Sequence, residues 1–272
     1  MNKLTITLAA TCLLSASTVT AQNMDVSRSG DTTIVKITNP KKYLILPIEE
    51  SRDESHVLLS TGSPADIWMD VRLADKKTDY CVPFALGNGN SATVKILNIA
   101  PDALALKSLQ MSDTWNVENT DYYRPIYHHT PSYGWMNDAN GMVYKDGEYH
   151  LYFQYNPYGS KWGNMHWGHA VSTDLMHWKE LQPAIARDTL GHIFSGSSVV
   201  DYGNTAGYGK GAIIALYTSA SDKNGQIQWP TALTTAGHLQ NMMATPYSDL
   251  LTESKTSATL RCFGMSLPRP GI

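Results

Sequence analysis

The chain has 272 residues, of which 42% are hydrophobic, enough to bury the core of one large domain or two smaller ones. Its formal net charge is −3 at pH 7, and basic residues do not cluster, which argues against nucleic acid as a partner. The sequence has three cysteines, too few for a disulfide framework.

Residues 1–21 have the three regions of a cleavable secretory signal. Lys3 supplies the positive start, a mostly apolar run extends from Leu4 to Ala16, and the segment ends at Val19-Thr20-Ala21. The apolar run is too short to span a bilayer comfortably. We therefore expect an exported protein, periplasmic, cell-surface or extracellular, with no integral membrane segment after signal removal. A buried N-terminal strand is the alternative.

Residues 22–120 are predicted to form a β-sandwich-like module. Short alternating or β-branched segments recur there with turns between them, and no helical period persists. The clearest predicted strands are 32–37, 42–47, 66–71 and 92–97. Because neither aromatic nor acidic residues cluster, a packing role is the default for this module, with carbohydrate binding as the alternative.

A second β-rich region follows a linker that contains His128 and His129. Adjacent histidines point to opposite faces of an extended chain, so we do not expect these two to share a metal ion. From Pro131 onwards short strands recur with Gly-rich turns, which favours a radial β-propeller or a sandwich over a parallel α/β layout. The alternating, aromatic segment 149–156 is predicted to be a strand that ends at Pro157.

The strongest candidate site is Trp135-Met136-Asn137-Asp138-Ala139-Asn140-Gly141. It places a carboxylate between two carboxamides and close to an indole. Such a set can hydrogen-bond the hydroxyl edges of a sugar and stack against its C–H faces. Asp-Ala-Asn-Gly is also good hairpin-turn chemistry, so a plain tight turn is the alternative.

Four blocks together resemble glycoside hydrolase family 32, the invertases, levanases and inulinases. They are residues 135–141, the strand end Phe153-Gln154-Tyr155-Asn156-Pro157, residues 162–170 and Phe194-Ser195-Gly196-Ser197. Ala139 stands where the family usually has Pro. The resemblance implies an all-β chain, in which the β-sandwich-like module is followed by an incomplete five-bladed β-propeller at residues 121–228, with the site in the central funnel.

The resemblance also implies a retaining hydrolase of β-fructosyl linkages that needs no cofactor and no metal. Its substrate would be an oligo- or polysaccharide, fructan or sucrose, with Asp138 as the nucleophile. The implied substrate-binding residues are Trp135, Asn137, Gln154, Trp162, Phe194 and Ser195. Two other functions stay open, a non-catalytic fructan-binding protein and a related five-bladed glycosidase acting on arabinans or xylans.

Two blocks that the family uses are absent from the sequence. The acid/base Glu belongs to a Glu-Cys block and a stabilising Asp to an Arg-Asp-Pro block, and neither occurs here. Arg187-Asp188-Thr189 precedes Phe194, whereas the Arg-Asp-Pro block of the family follows the corresponding Phe. We therefore predict that Arg187 and Asp188 are a pair of loop residues and not that block. Residues 229–272 lose the strand pattern, and codons read in a shifted frame can give family-like sequence that includes Arg-Asp-Pro. We therefore expect residues 229–272 to be an out-of-frame tail and the chain to be an inactive truncated fragment.

Overall fold

The computed structural model describes residues 23–60, 67–115, 124–125, 127–188, 191–221 and 225–233. The predicted signal at residues 1–21 and residues 234–272 of the predicted out-of-frame tail lie outside this part of the chain. Contacts between Cα atoms divide the chain into two units, residues 1–118 with 157–163 and residues 119–156 with 164–272. No helix in the described part is long and apolar enough to cross a membrane.

The first unit is built from two antiparallel sheets. One sheet has the strand order β1-β2-β7-β4-β5 and the other β6-β3-β8. Their bounds are β1 (Met24–Ser29), β2 (Thr32–Thr38), β3 (Tyr43–Ile48), β4 (Ser55–Ser60), β5 (Ile67–Val71), β6 (Tyr80–Ala85), β7 (Ser91–Leu97) and β8 (Gln110–Ser112). A short helix, α1 (Leu104–Ser108), precedes β8.

Alternating hydrophobic residues build the core of this unit. On β2 the side chains of Val35 and Ile37 are buried, and the neighbouring β7 buries Val94 and Ile96 in the same way. This period-two burial is typical of a strand with one face on a core. Strand β3 is buried along its whole length. The predicted sandwich-like module is therefore confirmed, and each of the four segments predicted as its clearest strands overlaps a strand.

The second unit contains two sheets in which neighbouring strands are antiparallel. The first has the order β12-β11-β10-β9 and the second β13-β14-β15, so consecutive strands are neighbours throughout. The bounds are β9 (Trp135–Lys145), β10 (Glu148–Asn156), β11 (His166–Ser172), β12 (Lys179–Ile185), β13 (His192–Asp201), β14 (Ala212–Ser221) and β15 (Gly225–Leu233). Such meanders are the blades of a propeller. The predicted all-β fold with an incomplete propeller is confirmed.

One hydrophobic core joins the two blades. Tyr152 and Trp167 from the first sheet pack with Ile213 and Tyr217 from the second, and all four side chains are at most 5% exposed. The Trp167 ring meets the Tyr152 ring at 5.6 Å and the Tyr217 ring at 6.2 Å between centroids. Large aromatic side chains contribute much of a core's buried area, so this cluster fixes one blade against the next.

The structure excludes a hairpin turn at residues 135–141, and strand β15 crosses the predicted boundary at residue 229. The hairpin alternative for residues 135–141 is wrong, because these residues lie within β9 and the chain turns at Asp146 and Gly147 (φ 52° and 90°), which link β9 to β10. Residues in the left-handed region suit a two-residue hairpin loop. The boundary at residue 229 stays a prediction, although β15 continues through it to Leu233 in register with β14.

Candidate active site

Asp138 is the extra residue of a β-bulge. On β9, Ala139 pairs with Phe153 and Asn137 pairs with Gln154, so Asp138 has no partner of its own on β10. Its φ of 23° is unusual for a residue other than glycine, and its side chain is exposed. A bulge bends a strand and redirects a side chain out of the alternating pattern. The strand thus holds Asp138 rigidly while presenting its carboxylate to solvent.

The strand that approaches Asp138 carries a second bulge. On β13, Ile193 pairs with Ser219 and Gly196 pairs with Tyr217, which leaves Phe194 and Ser195 opposite a single residue. Ser195 Oγ donates a hydrogen bond to Asp138 Oδ2 at 3.1 Å. Two irregular strand segments from adjacent blades therefore converge on one carboxylate oxygen, and the other oxygen is left for a reacting atom.

Two carboxamides flank the carboxylate. Asn140 Nδ2 donates to the Asp138 carbonyl at 3.1 Å, while the Oδ1 atoms of Asn137 and Asn140 are buried and accept no hydrogen bond from any residue that the structure describes. An unpaired buried acceptor is costly unless a ligand or water donates to it. These two buried oxygens are therefore acceptors whose hydrogen-bonding capacity is unused among the described residues.

Gln154 and Trp135 lie on strands of the second unit, whereas Trp162 belongs to the first unit. Gln154 is 3% exposed and its Nε2 donates to the Ile193 carbonyl at 3.0 Å, which links β10 to β13. Trp135 begins β9 opposite Asn156 and is half-buried. Trp162 is 53% exposed and belongs to the first unit with residues 157–163, so its place in the site stays a prediction.

Three histidines of the first sheet in the second unit make hydrogen bonds within that unit. His150 Nδ1 and His169 Nε2 are 3.0 Å apart in the sheet interior. His166 Nδ1 is hydrogen-bonded to the Asn164 carbonyl, and burial lowers the pKa of His166 to about 4. Within the described ranges, no three His, Cys, Asp or Glu side chains are grouped so that they could hold a metal ion.

Glu180 lies too far from Asp138 to act with it on one substrate bond. It lies on β12, at the opposite edge of the sheet from β9, which places it about 14 Å away at roughly 4.8 Å per strand. Its Oε2 atom accepts hydrogen bonds from the backbone N–H and the hydroxyl of Ser132 at 2.9 and 2.7 Å. It is therefore an anchored structural carboxylate beside a cavity of about 140 Å³.

Sequence reasoning missed Trp167 and Ser198, whose contacts reach both strands of the site. Trp167 Nε1 donates to the Phe194 carbonyl at 2.9 Å, and Ser198 Oγ donates to the Gly141 carbonyl. Trp167 lies inside a block that resembles the family, but no periodicity in the sequence predicts which strands its ring contacts. Alternation along a strand predicts which face of the sheet a side chain lies on. Which residues that side chain contacts depends on how the strands pair and the sheets pack.

Comparison with protein families gives two adjacent matches. Residues 128–260 match the glycosyl hydrolases family 32 N-terminal domain, and residues 29–127 match a domain of unknown function, DUF4980. The first match begins just before the strand that carries Asp138 and extends beyond residue 229. Both units thus have counterparts in other proteins.

The curated relatives are longer proteins. The chain is 56% identical over 110 residues to a levanase of Bacillus subtilis (strain 168), covering 39% of the chain and 16% of that protein. It is 45% identical over 130 residues to an extracellular exo-inulinase of Aspergillus awamori and 42% identical over 137 residues to an invertase of Schwanniomyces occidentalis. These matches cover 44% and 46% of the chain, and 24% and 25% of the two relatives.

Solved structures give similar matches of limited extent. The β-fructofuranosidase from Schwanniomyces occidentalis complexed with fructosyl-erythritol is 39% identical, with a TM-score of 0.44 over 48% of this chain and 28% of that one. The exo-inulinase from Aspergillus awamori is 38% identical, with a TM-score of 0.42 over 47% of this chain and 28% of that one.

Proposed function

Because the chain belongs through residues 128–260 to glycosyl hydrolase family 32, we propose that it carries the nucleophile-bearing part of a retaining hydrolase of β-fructosyl linkages. The relatives named levanase, exo-inulinase and invertase support a fructan or sucrose as the substrate. The observation that carries the proposal is the exposed Asp138 carboxylate on a bulge, held through one oxygen by Ser195. The relative named extracellular supports export of this protein as well.

In the proposed reaction, the free oxygen of Asp138 attacks the anomeric carbon of a fructosyl unit. The bond from that carbon to the bridging oxygen breaks, and the departing oxygen takes a proton from a carboxylic acid on the opposite side. Water then attacks the same carbon, gives its proton to the conjugate carboxylate and frees Asp138. Two steps of this kind retain the configuration and require carboxyl groups about 5 Å apart.

The residues around Asp138 fit the first of those steps. Ser195 fixes the orientation of the carboxylate, and the unpaired amide oxygens of Asn137 and Asn140 can accept hydrogen bonds from sugar hydroxyls. The half-buried rings of Trp135 and Phe194 provide apolar surface for the sugar face. Among the described residues, Glu180 is too distant to be the proton donor, and the sequence has no Glu-Cys block.

This division of roles suggests a test that does not need the proton donor. An aryl β-fructoside whose phenolate leaves without protonation should transfer its fructosyl group to Asp138, and the ester should accumulate because Glu180, the carboxylate considered above, is too distant to activate water. We expect intact mass spectrometry of the full chain to detect one added fructosyl unit, and peptide mapping to place it on Asp138. Asp138→Asn should abolish the adduct, whereas Asp31→Asn, at an exposed position of the first unit, should leave it unchanged.

A non-catalytic fructan-binding protein is the second candidate function. It is favoured by the unpaired acceptors of Asn137 and Asn140, which would bind hydroxyl groups without any proton donor. Binding of fructo-oligosaccharides in calorimetry without a fructosyl adduct would support this alternative and contradict the hydrolase. An adduct on Asp138 would decide for the hydrolase.

A further inference from the structure

Trp167 contacts both strands that build the site. It lies on β11, and its side chain is completely buried between the two blades. The indole has two opposite edges, the pyrrole N–H on one side and the six-membered ring on the other. Each edge meets a different strand.

The N–H edge binds β13. Nε1 donates a hydrogen bond of 2.9 Å to the carbonyl of Phe194, the residue directly before Ser195. This carbonyl lies within the bulge of β13, where the regular ladder is interrupted. The indole therefore supplies a fixed donor at a point where β14 does not pair normally.

The six-membered edge lies under β9. A Cβ added to Gly141 would be 2.7 Å from Trp167 Cζ3, closer than real Cβ atoms approach other atoms, and 3.1 Å from Cη2, which is a tight contact. Gly141 also has a φ of 54°, which an L side chain rarely adopts. Its carbonyl accepts the hydroxyl of Ser198, so this glycine is held from both sides three residues after Asp138.

We propose that Trp167 is a positioning residue that sets the distance between Asp138 and Ser195. One rigid side chain fixes the backbone of β9 through Gly141 and the backbone of β13 through Phe194. Phenylalanine would fill part of this space but could not donate to the Phe194 carbonyl. The proposal rests on the proposed function, because its consequence is the orientation of the Asp138 carboxylate for attack.

The test uses the full chain with Trp167→Phe and, as a matched control, Trp178→Phe. Trp178 is half-buried directly before β12, at the far edge of the same sheet. With a saturating aryl fructoside, we expect Trp167→Phe to lower the rate constant for labelling Asp138 about tenfold, because the variant loses the hydrogen bond to the Phe194 carbonyl. The fructoside concentration for half-maximal rate should change less than twofold. Trp178→Phe should change neither quantity.

A second readout does not depend on the chemistry. Hydrogen exchange followed by mass spectrometry should be about tenfold faster in Trp167→Phe for the peptides that contain Asp138 and Ser195, and unchanged there in Trp178→Phe. A milder variant, Ser198→Ala, removes only the hydrogen bond to the Gly141 carbonyl. It should therefore accelerate hydrogen exchange around Gly141 alone.

The outcomes separate the two proposals. If the unaltered chain forms no adduct on Asp138, the proposed function fails, and the exchange measurement still decides whether Trp167 holds both strands. If the adduct forms and Trp167→Phe labels at the unaltered rate, the positioning role is refuted while the function stands. Exchange rates that Trp167→Phe leaves unchanged in the peptides containing Asp138 and Ser195 would refute it as well.

Discussion

Ser195 Oγ donates a hydrogen bond to Asp138 Oδ2 at 3.1 Å, although the two residues are 57 positions apart in sequence and lie on different blades. Both residues belong to bulged segments. In a regular strand their side chains would follow the alternation between the two faces, and the bulges release them from it. Because the contact crosses from one blade to the next, it depends on the packing of the core between them.

Replacement of Ser195 by Ala should slow attack by Asp138. The variant loses a hydrogen bond to a charged acceptor, worth about 1.5 kcal/mol, so we expect the labelling rate with an aryl fructoside to fall about tenfold. Ser197→Ala is the matched control, because Ser197 is exposed on the same strand. Labelling by Ser195→Ala as fast as by Ser197→Ala would contradict a role for this contact.

The sequence predicted the strands well where hydrophobic alternation is regular. Segments 32–37 and 92–97 became β2 and β7, because buried residues such as Val35 and Val94 alternate there with more exposed residues such as Lys36 and Lys95. At residues 135–141 the turn-forming residues suggested a hairpin as the alternative to a site, and this alternative is wrong. Asp138 and Gly141 do adopt positive φ values, but they use them to bulge a strand instead of reversing it.

Two aspects of the site were beyond sequence reasoning for a physical reason. The family-like blocks selected Asp138 and Ser195, but their hydrogen bond depends on the pairing of β13 with β14 and on contacts between blades. Likewise, Trp167 on β11 reaches Gly141 on β9 across β10, a contact that follows from the order of strands in the sheet. Such contacts join residues that share no local period, so no window of the sequence contains them.

Replacement of Gly168 by Ala should destabilise the first blade. An added Cβ would lie 2.2 Å from Cε2 of Phe153, which is completely buried and is the register partner of Gly168 across β10 and β11. Overpacking of this kind costs about 1–3 kcal/mol. We expect a lower urea midpoint, with fast hydrogen exchange in β10 and β11.

Gly147→Ala is the comparison for this effect. Gly147 has a φ of 90° but open space around its Cα, so an added methyl group meets backbone strain alone, roughly 1 kcal/mol. The Gly168 variant should therefore be the less stable of the two. Equal urea midpoints would contradict a steric limit set by the Phe153 ring.

His166 should make the second unit sensitive to mild acid. Burial lowers the pKa of His166 from 6.5 to about 4, so the folded state holds the neutral imidazole while the unfolded chain binds a proton more readily. Its contribution to stability is complete above about pH 6.5 and is lost as the pH falls toward 4. His166→Asn should reduce the loss of stability between pH 6.5 and 4, measured by hydrogen exchange of β11. An unchanged pH dependence would exclude His166 as its source.

Glu49 should stabilise the first unit over a lower pH range. Its Oε2 atom accepts backbone hydrogen bonds from Asp75, Lys76 and Lys77 at 3.0, 2.9 and 3.3 Å, and the residue is only 6% exposed. The Lys76 N–H makes the largest contribution to a pKa lowered from 4.5 to about 2, although burial opposes it. The folded state therefore favours the carboxylate, whose stabilisation is complete above about pH 4.5 and lost as the pH falls toward 2.

Glu49→Gln tests this assignment at neutral pH. The amide loses the charge that several N–H donors share, so we expect the free energy of unfolding to drop by about 2–4 kcal/mol at pH 7. Hydrogen exchange of β3 and β6 peptides reports on this unit alone. The control is Asp53→Asn, at an exposed position near Glu49, which should have little effect. The difference between the two variants should shrink as the pH approaches 2, and a difference independent of pH would show that the carboxylate charge is not what stabilises the loop.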